Sequence, residues 1–458
     1  MVNRTHSAKI SVKLPYNVAP KLNPHDLAVG YFFHHYVHEF DNRRQSCYIE
    51  DSNGCLAASI KAVGLAGITR TPSGPSASPN AQQQYLNAIQ LTNEALRSTD
   101  LAKLDSTLLA VNILGIYESI SGFHRSMSSW RDHVNGATAL LALRGTEQFE
   151  TDTGGRLFAQ TSSTLVVACR LQRLPVPEHV HTMTAIAEKH IPEPTDRFWR
   201  FYKIQLRYTD MYAKLSPQNH VYSLSDALSI INEALLIYDD IVEMTTTDLP
   251  AEWQFEVENS TDPSVFGGYY HVFPTYLHAA VWNGSLSIRI ILLDIMIKAM
   301  REMQQHSTSF VPPAVEARVR EAKETVTRHQ LDICASIPQH LGTAYLKADS
   351  FKNTECLPSN MTSDDFIWKH FTTRDCNPWR SRRRRSPDLP FVRMSGGYLI
   401  QWSLFAVGLA GRPGSRSRAF AIDTLKYIGQ TKGLQQALLL ATTLEEDSGL
   451  KLAVYSSV

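Results

Sequence analysis

Apolar residues recur along this chain with the 3.6-residue beat of helices, not the two-residue beat of strands. In SWRDHVNGATALLALRG, residues 129–145, Trp130, Val134, Ala137 and Leu141 fall at i, i+4, i+7 and i+11, so residues 129–144 read as one complete helix. Ser129 is the expected N-cap, Asp132 sits where an acid suits the dipole, and Gly145 is the expected left-handed stop. Val29, Phe33, Tyr36, Val37 and Phe40 form an earlier stripe behind Pro24, a good opening residue for a helix. A small-residue helix is expected over 55–69, and others over 81–97, 104–120 and 154–171. Leu224, Leu228, Ile231, Leu235, Tyr238 and Val242 mark a long helix, and Trp282, Leu286, Ile290, Leu293, Ile297 and Met300 mark another. A helix opens at Pro312 and is expected to end near Ser336. Met394, Tyr398, Trp402, Phe405 and Leu409 define the next, and segments 420–432 and 434–444 close the series.

Little else competes with this pattern. TPSGPSASPN, residues 71–80, is expected to be loop, because its prolines and glycine break helices. Strand-like alternation is rare and no βαβ rhythm appears, which argues against a parallel sheet with a nucleotide crevice. The predicted fold is all-α: one large domain of packed helices over 24–458 behind a tail of 1–23, with no period that would make a regular solenoid. Residues 349–390 are polar, proline-containing and weakly periodic, and are expected to be disordered or loop-rich. Trp130, Trp282 and Trp402 each lie on an apolar stripe and are expected to be buried.

Composition narrows the function classes. With 458 residues, 43% of them hydrophobic, the chain can bury a large core. A net charge of +1 argues against a surface built as a whole to hold polyanions. No unbroken apolar run reaches the ~18 residues of a membrane span, and the first residues lack the apolar core of a signal peptide, so a soluble, intracellular protein is expected. The six cysteines, Cys47, Cys55, Cys169, Cys334, Cys356 and Cys376, are widely spaced with no CxxC, and read as reduced thiols rather than a zinc site.

Four clusters invite chemistry. YDDIVE places Asp239, Asp240 and Glu243 on a helix, where paired acids can hold magnesium for a diphosphate substrate. On helix geometry Asp239 and Glu243 flank the apolar stripe and Asp240 points nearly away from it, so a solvated acidic face is the plainer reading. HHYVH sets His34 and His38 at i and i+4, a zinc-compatible spacing, but with no third ligand and no HExxH between them. GLAGRPGS, residues 408–415, has no P-loop lysine and reads as a turn between two helices. RSRRRR supplies Arg380, Arg382, Arg383, Arg384 and Arg385 between Pro378 and Pro387, a basic loop over 378–390 suited to an import receptor or to polyanion contact. No GxxxxGK[ST], GxGxxG or GxSxG pattern occurs in a fitting context. The sequence assigns no catalytic, cofactor-binding or metal-binding residue, and the chain reads as a non-enzyme.

The helix at 129–144 matters because of what surrounds it. LLAVNILGIYESISG, SWRDHVNGATALLALRG, FETDTGGRLFAQ and LQRLPVPE, in that order, resemble the fungal-specific transcription factor domain that forms the body of many zinc binuclear-cluster regulators. HDLAVGYFFHHYV resembles the domain's opening helix, LPAEWQF its connector, and YYHVFPTYLHAAVWNGSLSIRIIL its central long helix. MSGGYLIQWSLFAVGLAG and LKYIGQTKGLQQALLLA resemble its closing helices, so the likeness runs from about residue 24 to 444. Such regulators usually carry an N-terminal module of six closely spaced cysteines; the cysteines here do not reproduce that spacing, and the expectation is a regulatory body without its own zinc-cluster reader.

The resemblance implies a nuclear regulator of transcription for a fungal gene set, such as a secondary-metabolite pathway. Its expected partners are other regulators in a homo- or heterodimer, DNA by an indirect route, and a small effector; no cofactor and no membrane partner are expected. Two alternatives stand beside it. One is a helical scaffold or inhibitor that pairs with a full-length regulator. The other is a magnesium-dependent prenyl-diphosphate enzyme using the DDIVE helix.

Overall fold

The computed structural model describes residues 23–36, 54–70, 79–121, 128–190, 196–215, 224–306, 312–341 and 396–446, apart from 412 and 432. Of these residues 86% are helical, in fifteen α-helices and four 3₁₀ turns, as the 3.6-residue stripes predict. The loop-rich segment expected at 349–390 lies outside the described residues.

The first half is a stack of helices. α1 (Pro24–Tyr36) and α3 (Pro79–Leu96) both pack on α2 (Cys55–Arg70), and α2 packs on α5 (Asp105–Ser121) after the single turn of α4 (Thr99–Ala102). α3 begins at Pro79, inside the stretch expected to be loop, because proline is well suited to a first helical position. α6 (Ser128–Arg144) is the helix of the SWRDHVNG segment. It starts one residue early, so Ser129 lies in its first turn and is not the cap. Gly145 has the expected left-handed φ of 62°, and the chain then tightens into a 3₁₀ turn, Gly145–Glu150. Arg144 is buried; its Nη1 donates to the Lys103 carbonyl at 2.6 Å and its Nη2 to the Asp105 carboxylate, tying the end of α6 to the start of α5. α7 (Asp152–Gln172) is capped by the Thr151 hydroxyl, which accepts from the Gly154 amide at 3.0 Å.

The second half contains two helices that the stripes did not reveal, α8 (Glu178–Ala187) and α9 (Arg197–Lys214). The Asp196 carboxylate accepts from the Phe198 amide at 2.8 Å and starts α9. Its buried face is Trp199, Tyr202, Leu206, Thr209 and their neighbours, a helical stripe built largely of aromatics. α10 (Leu224–Thr246) and α11 (Tyr276–His306) follow, joined by a 3₁₀ turn, Ala251–Trp253, and a two-stranded antiparallel hairpin. β1 (Glu256–Asn259) pairs with β2 (Tyr269–Val272), Glu256 opposite Val272. Residues 269–272 are therefore a strand, and the long central helix begins only at Tyr276. Over Tyr276–Arg301, α11 is long and apolar enough to cross a membrane by length and composition, a feature masked in the sequence by its scattered polar residues. In this fold 61% of that window is buried inside the protein, and α11 is a core helix packed on α10, α12 and α13.

α12 (Pro313–Leu341) runs a turn past its expected end, through Pro338. The extension has a tertiary reason: the Gln339 side chain accepts from the Phe273 amide and donates to the Phe273 carbonyl, each at 2.8 Å, so a helix side chain completes the backbone pairing beyond β2. α13 (Gly396–Ala410), α14 (Arg416–Thr431) and α15 (Gln435–Glu446) close the chain, and α15 returns to pack on α5. Of GLAGRPGS, Gly408, Leu409 and Ala410 complete α13, and the connection to α14 follows them.

Two hydrophobic clusters result. One gathers Phe32, Leu56, Leu108, Leu141, Phe158, Leu404 and Leu425 from the first seven and last three helices. The other gathers Met211, Ile231, Ile241, Met296 and Val319 from α9–α12. α9, α11 and α12 serve both: Trp199, Tyr202, Leu286, Ile290 and Ile333 face the first cluster, while Phe201, Tyr208, Ile288, Leu292 and Val319 face the second.

Candidate functional site

Where those two clusters meet, the helices do not close. A cavity of about 380 Å³ lies between α7, α9, α11 and α13. Each helix presents one stripe to it. α7 contributes Arg156, Ala159, Gln160, Ser163, Thr164, Val167, Arg170 and Leu171; α9 contributes Phe198, Trp199, Phe201, Tyr202, Gln205, Tyr208 and Tyr212. α11 adds positions from Tyr276 to Ile291, and α13 adds Tyr398, Leu399, Trp402, Ser403 and Ala406. The spacings on α7 and α9 run i, i+4, i+7 and on to i+14, a continuous inward face about 21 Å long at 1.5 Å per residue.

Aromatic rings dominate this wall, and its electrostatics are simple. The lining holds two cations, Arg156 and Arg170, and among the described residues no Asp, Glu or Lys. Arg156 is buried, and its Nη2 lies 3.5 Å from the Thr153 hydroxyl. The Arg170 guanidinium lies over the Tyr208 ring, 5.6 Å from its centre. Burial pushes the phenols of Tyr202, Tyr212 and Tyr276 up, and that of Tyr398 up to about 12. These tyrosines stay protonated at neutral pH, so the wall offers neutral hydroxyls and fixed positive charge. The Tyr202 hydroxyl is 3.1 Å from that of Thr184. A mostly apolar cleft of this size, partly open to solvent and with a few inward polar groups, suits reversible binding of a small molecule. Among the described residues its lining includes no His, Asp, Glu or Lys.

The acids of DDIVE fall elsewhere, and they do not converge. Asp239 pairs with Arg318 of α12, Asp240 with Arg207 of α9, and Glu243 with Arg200 of α9 at 2.7 Å. Each carboxylate is directed at a different arginine, and the three act as clamps between helices. Among the described residues, no group of three His, Cys, Asp or Glu side chains is placed to share a metal ion. The His34 side chain and the whole of His38 lie outside the described residues, as do Arg380, Arg382, Arg383, Arg384 and Arg385. Cys55, Cys169 and Cys334 are buried and form no disulfide, and burial pushes Cys169 up to about 11 and Cys334 up to about 12, so neither of these two is a ready nucleophile. Cys47, Cys356 and Cys376 are outside the described residues.

The tryptophans expected in the core divide. Trp130 is buried, but Trp282 and Trp402 are only half-buried. Trp402 faces the cavity, and the Trp282 indole donates to the Trp253 carbonyl at 3.1 Å. The aromatics of α9 are the site residues that the stripe analysis missed. Their signal was present: Asp196 is a capping residue, and Phe198, Tyr202, Gln205, Tyr208 and Tyr212 keep helical spacing.

No curated protein and no solved structure matches this chain. A family model does: residues 37–169, covering α2 to most of α7, match the fungal specific transcription factor domain. Residues 37–169 are thus similar to the fungal specific transcription factor domain, the family that the ordered motifs resemble.

Proposed function

We propose that this protein regulates transcription of a fungal gene set from the nucleus, that residues 24–458 form one regulatory body, and that it reaches DNA through a protein partner. The domain at 37–169 carries the reading. The architecture is consistent with it: long helices, clear caps and a rigid core, with the polar clusters committed to holding helices together. A biosynthetic gene set, such as a secondary-metabolite pathway, is the target class we favour.

The test is a tethering experiment. The full chain, fused to a heterologous DNA-binding domain, is expected to raise or lower a reporter several-fold, and the tagged chain to co-purify with a zinc-cluster regulator from fungal nuclei. An inert fusion that still sequesters a full-length regulator would replace this reading with that of an inhibitor. Intrinsic DNA affinity is expected to be weak, sequence-independent and steeply reduced by salt, because it rests on Arg380 and Arg382–Arg385. Replacing Arg382–Arg385 with alanine is expected to move a fluorescent fusion from nucleus to cytoplasm; undiminished nuclear signal assigns import to another segment. We also propose that the chain is not an enzyme. Magnesium-dependent turnover of a prenyl diphosphate, abolished by Asp239→Asn, would overturn that.

A further inference from the structure

We propose that the cleft between α7, α9, α11 and α13 binds an uncharged, largely aromatic molecule of fused rings, held by ring contacts and apolar burial and not by charge. The inference rests on the shape and chemistry of the wall and stands apart from the transcription reading.

The room comes first. Folded cores pack to crystal density and leave few voids larger than a water molecule, whereas this cleft holds about 380 Å³, within the range of small-molecule sites, and is partly open to solvent, so a ligand has a way in. Small residues set the space. Ala159 and Ser163 on α7 and Ala280 on α11 line it and are only half-buried, although their helices belong to the core. Ser403 and Ala406 line it from α13. Large apolar side chains at these positions would close the gap between the two hydrophobic clusters. The Phe201 ring, large enough to fill part of it, is instead seated on the backbone of α11: a Cβ at Gly284 would lie 2.6 Å from its Cζ.

The wall then selects the occupant. Its polar groups are engaged within the protein. The Thr164 hydroxyl donates to the Gln160 carbonyl at 3.1 Å and the Ser287 hydroxyl to the Asn283 carbonyl at 2.6 Å, each one turn back on its own helix. The Tyr202 hydroxyl is paired with that of Thr184, and the Tyr398 hydroxyl with Trp130 and Ser119. The two guanidiniums have partners as well, Arg156 at Thr153 and Arg170 over the Tyr208 ring. An ion that enters leaves its hydration for groups already engaged, and a charge buried without new hydrogen bonds is costly. An uncharged apolar molecule gives up little. What the cleft offers it is aromatic surface, from Trp199 and Tyr208 on α9 and Trp402 on α13. Rings meet such faces stacked or edge-on. A rigid ring system also has no internal rotation to lose on binding, whereas a flexible chain must be ordered bond by bond.

The experiment uses the purified full chain and a matched pair of dyes: uncharged N-phenyl-1-naphthylamine, and 1-anilinonaphthalene-8-sulfonate, the same rings carrying a negative charge. Both brighten in apolar surroundings. The expected result is one saturable site per chain for the uncharged dye, with the sulfonate bound no more tightly. Rigid, uncharged 9-fluorenol is expected to displace the dye at a concentration at least tenfold lower than flexible 1-dodecanol of similar size. Ser163→Phe and Ala280→Phe fill the cleft from different helices, and each is expected to weaken dye and fluorenol by tenfold or more while the helical circular dichroism stays native. Trp402→Leu removes one aromatic face without filling the space, and decides the matter should either filled variant fold poorly: fluorenol is expected to weaken at least fivefold and dodecanol to change by less than twofold. The proposal is overturned by the absence of saturable dye binding up to its solubility limit, by a sulfonate bound tenfold more tightly than the uncharged dye, or by dodecanol displacing as well as fluorenol. Native-like filled variants that bind as well as the parent, or a Trp402→Leu chain with fluorenol affinity unchanged, overturn it equally.

Discussion

Arg418 offers the sharpest test of how the closing helices are held. It sits in the first turn of α14, 7% exposed. Its Nη1 donates to the Gly408 carbonyl at 2.9 Å and to that of Gly411 at 3.4 Å, and its Nη2 donates to the Leu444 carbonyl at 2.7 Å. Gly408 and Leu444 lie in the last turns of α13 and α15, whose carbonyls have no helical partner and carry the negative end of each dipole. One guanidinium thus caps two helices from a third. Arg418→Met keeps the apolar stem and removes the donors. Two short bonds from a charged donor are worth about 1.5–3 kcal/mol each, and water reaching the freed carbonyls returns part of that. The expected loss is about 3–4 kcal/mol, with Arg418→Lys recovering about half because its ammonium is a point donor and not a fork. Urea titration followed by far-ultraviolet circular dichroism reads the change, provided the slope is unaltered. Arg320→Met is the control: Arg320 is 67% exposed and 3.6 Å from Glu316, so the change should stay within about 0.5 kcal/mol. A loss below about 1 kcal/mol in Arg418→Met would refute the capping argument.

Further outcomes follow from other contacts. A Cβ at Gly64 would lie 1.9 Å from the Ala28 carbonyl oxygen, so Gly64→Ala should cost at least about 2 kcal/mol by overpacking, despite alanine's better helix propensity, and hydrogen exchange in α1 should accelerate first. His329 is pushed down to about 3, chiefly by burial and then by the facing charges of Arg289 and Arg328. Between the ordinary value of 6.5 and about 3 the unfolded chain therefore binds the proton that the folded chain refuses. That contribution is full above pH 6.5 and declines as pH falls; at pH 5 it costs about 2 kcal/mol. His329→Gln should flatten the loss of stability between pH 7 and pH 5, and an unchanged slope would contradict the burial argument. Asp240→Asn breaks an exposed pair with Arg207 and should change stability by less than about 1 kcal/mol; a large loss would mean that the three acid–arginine clamps act as one network.

What the sequence determined by itself was local. The stripe of α10 and the stop at Gly145 depend on residues within a few positions of one another, which meet in any helix whatever it packs on. Helix α9 has equally regular spacing, but its aromatics and arginines interleave, so its apolar face stands out less plainly. The tertiary structure decided the rest. Residues 269–272 became a strand because a hairpin partner and the Gln339 side chain take up their backbone groups. Asp239, Asp240 and Glu243, adjacent on one helix, were separated by arginines on two others. The cavity exists in no segment of the chain: alanines and serines that look like ordinary helix formers on α7, α11 and α13 come face to face only when four helices meet, and only then does the space they leave acquire a wall and a charge.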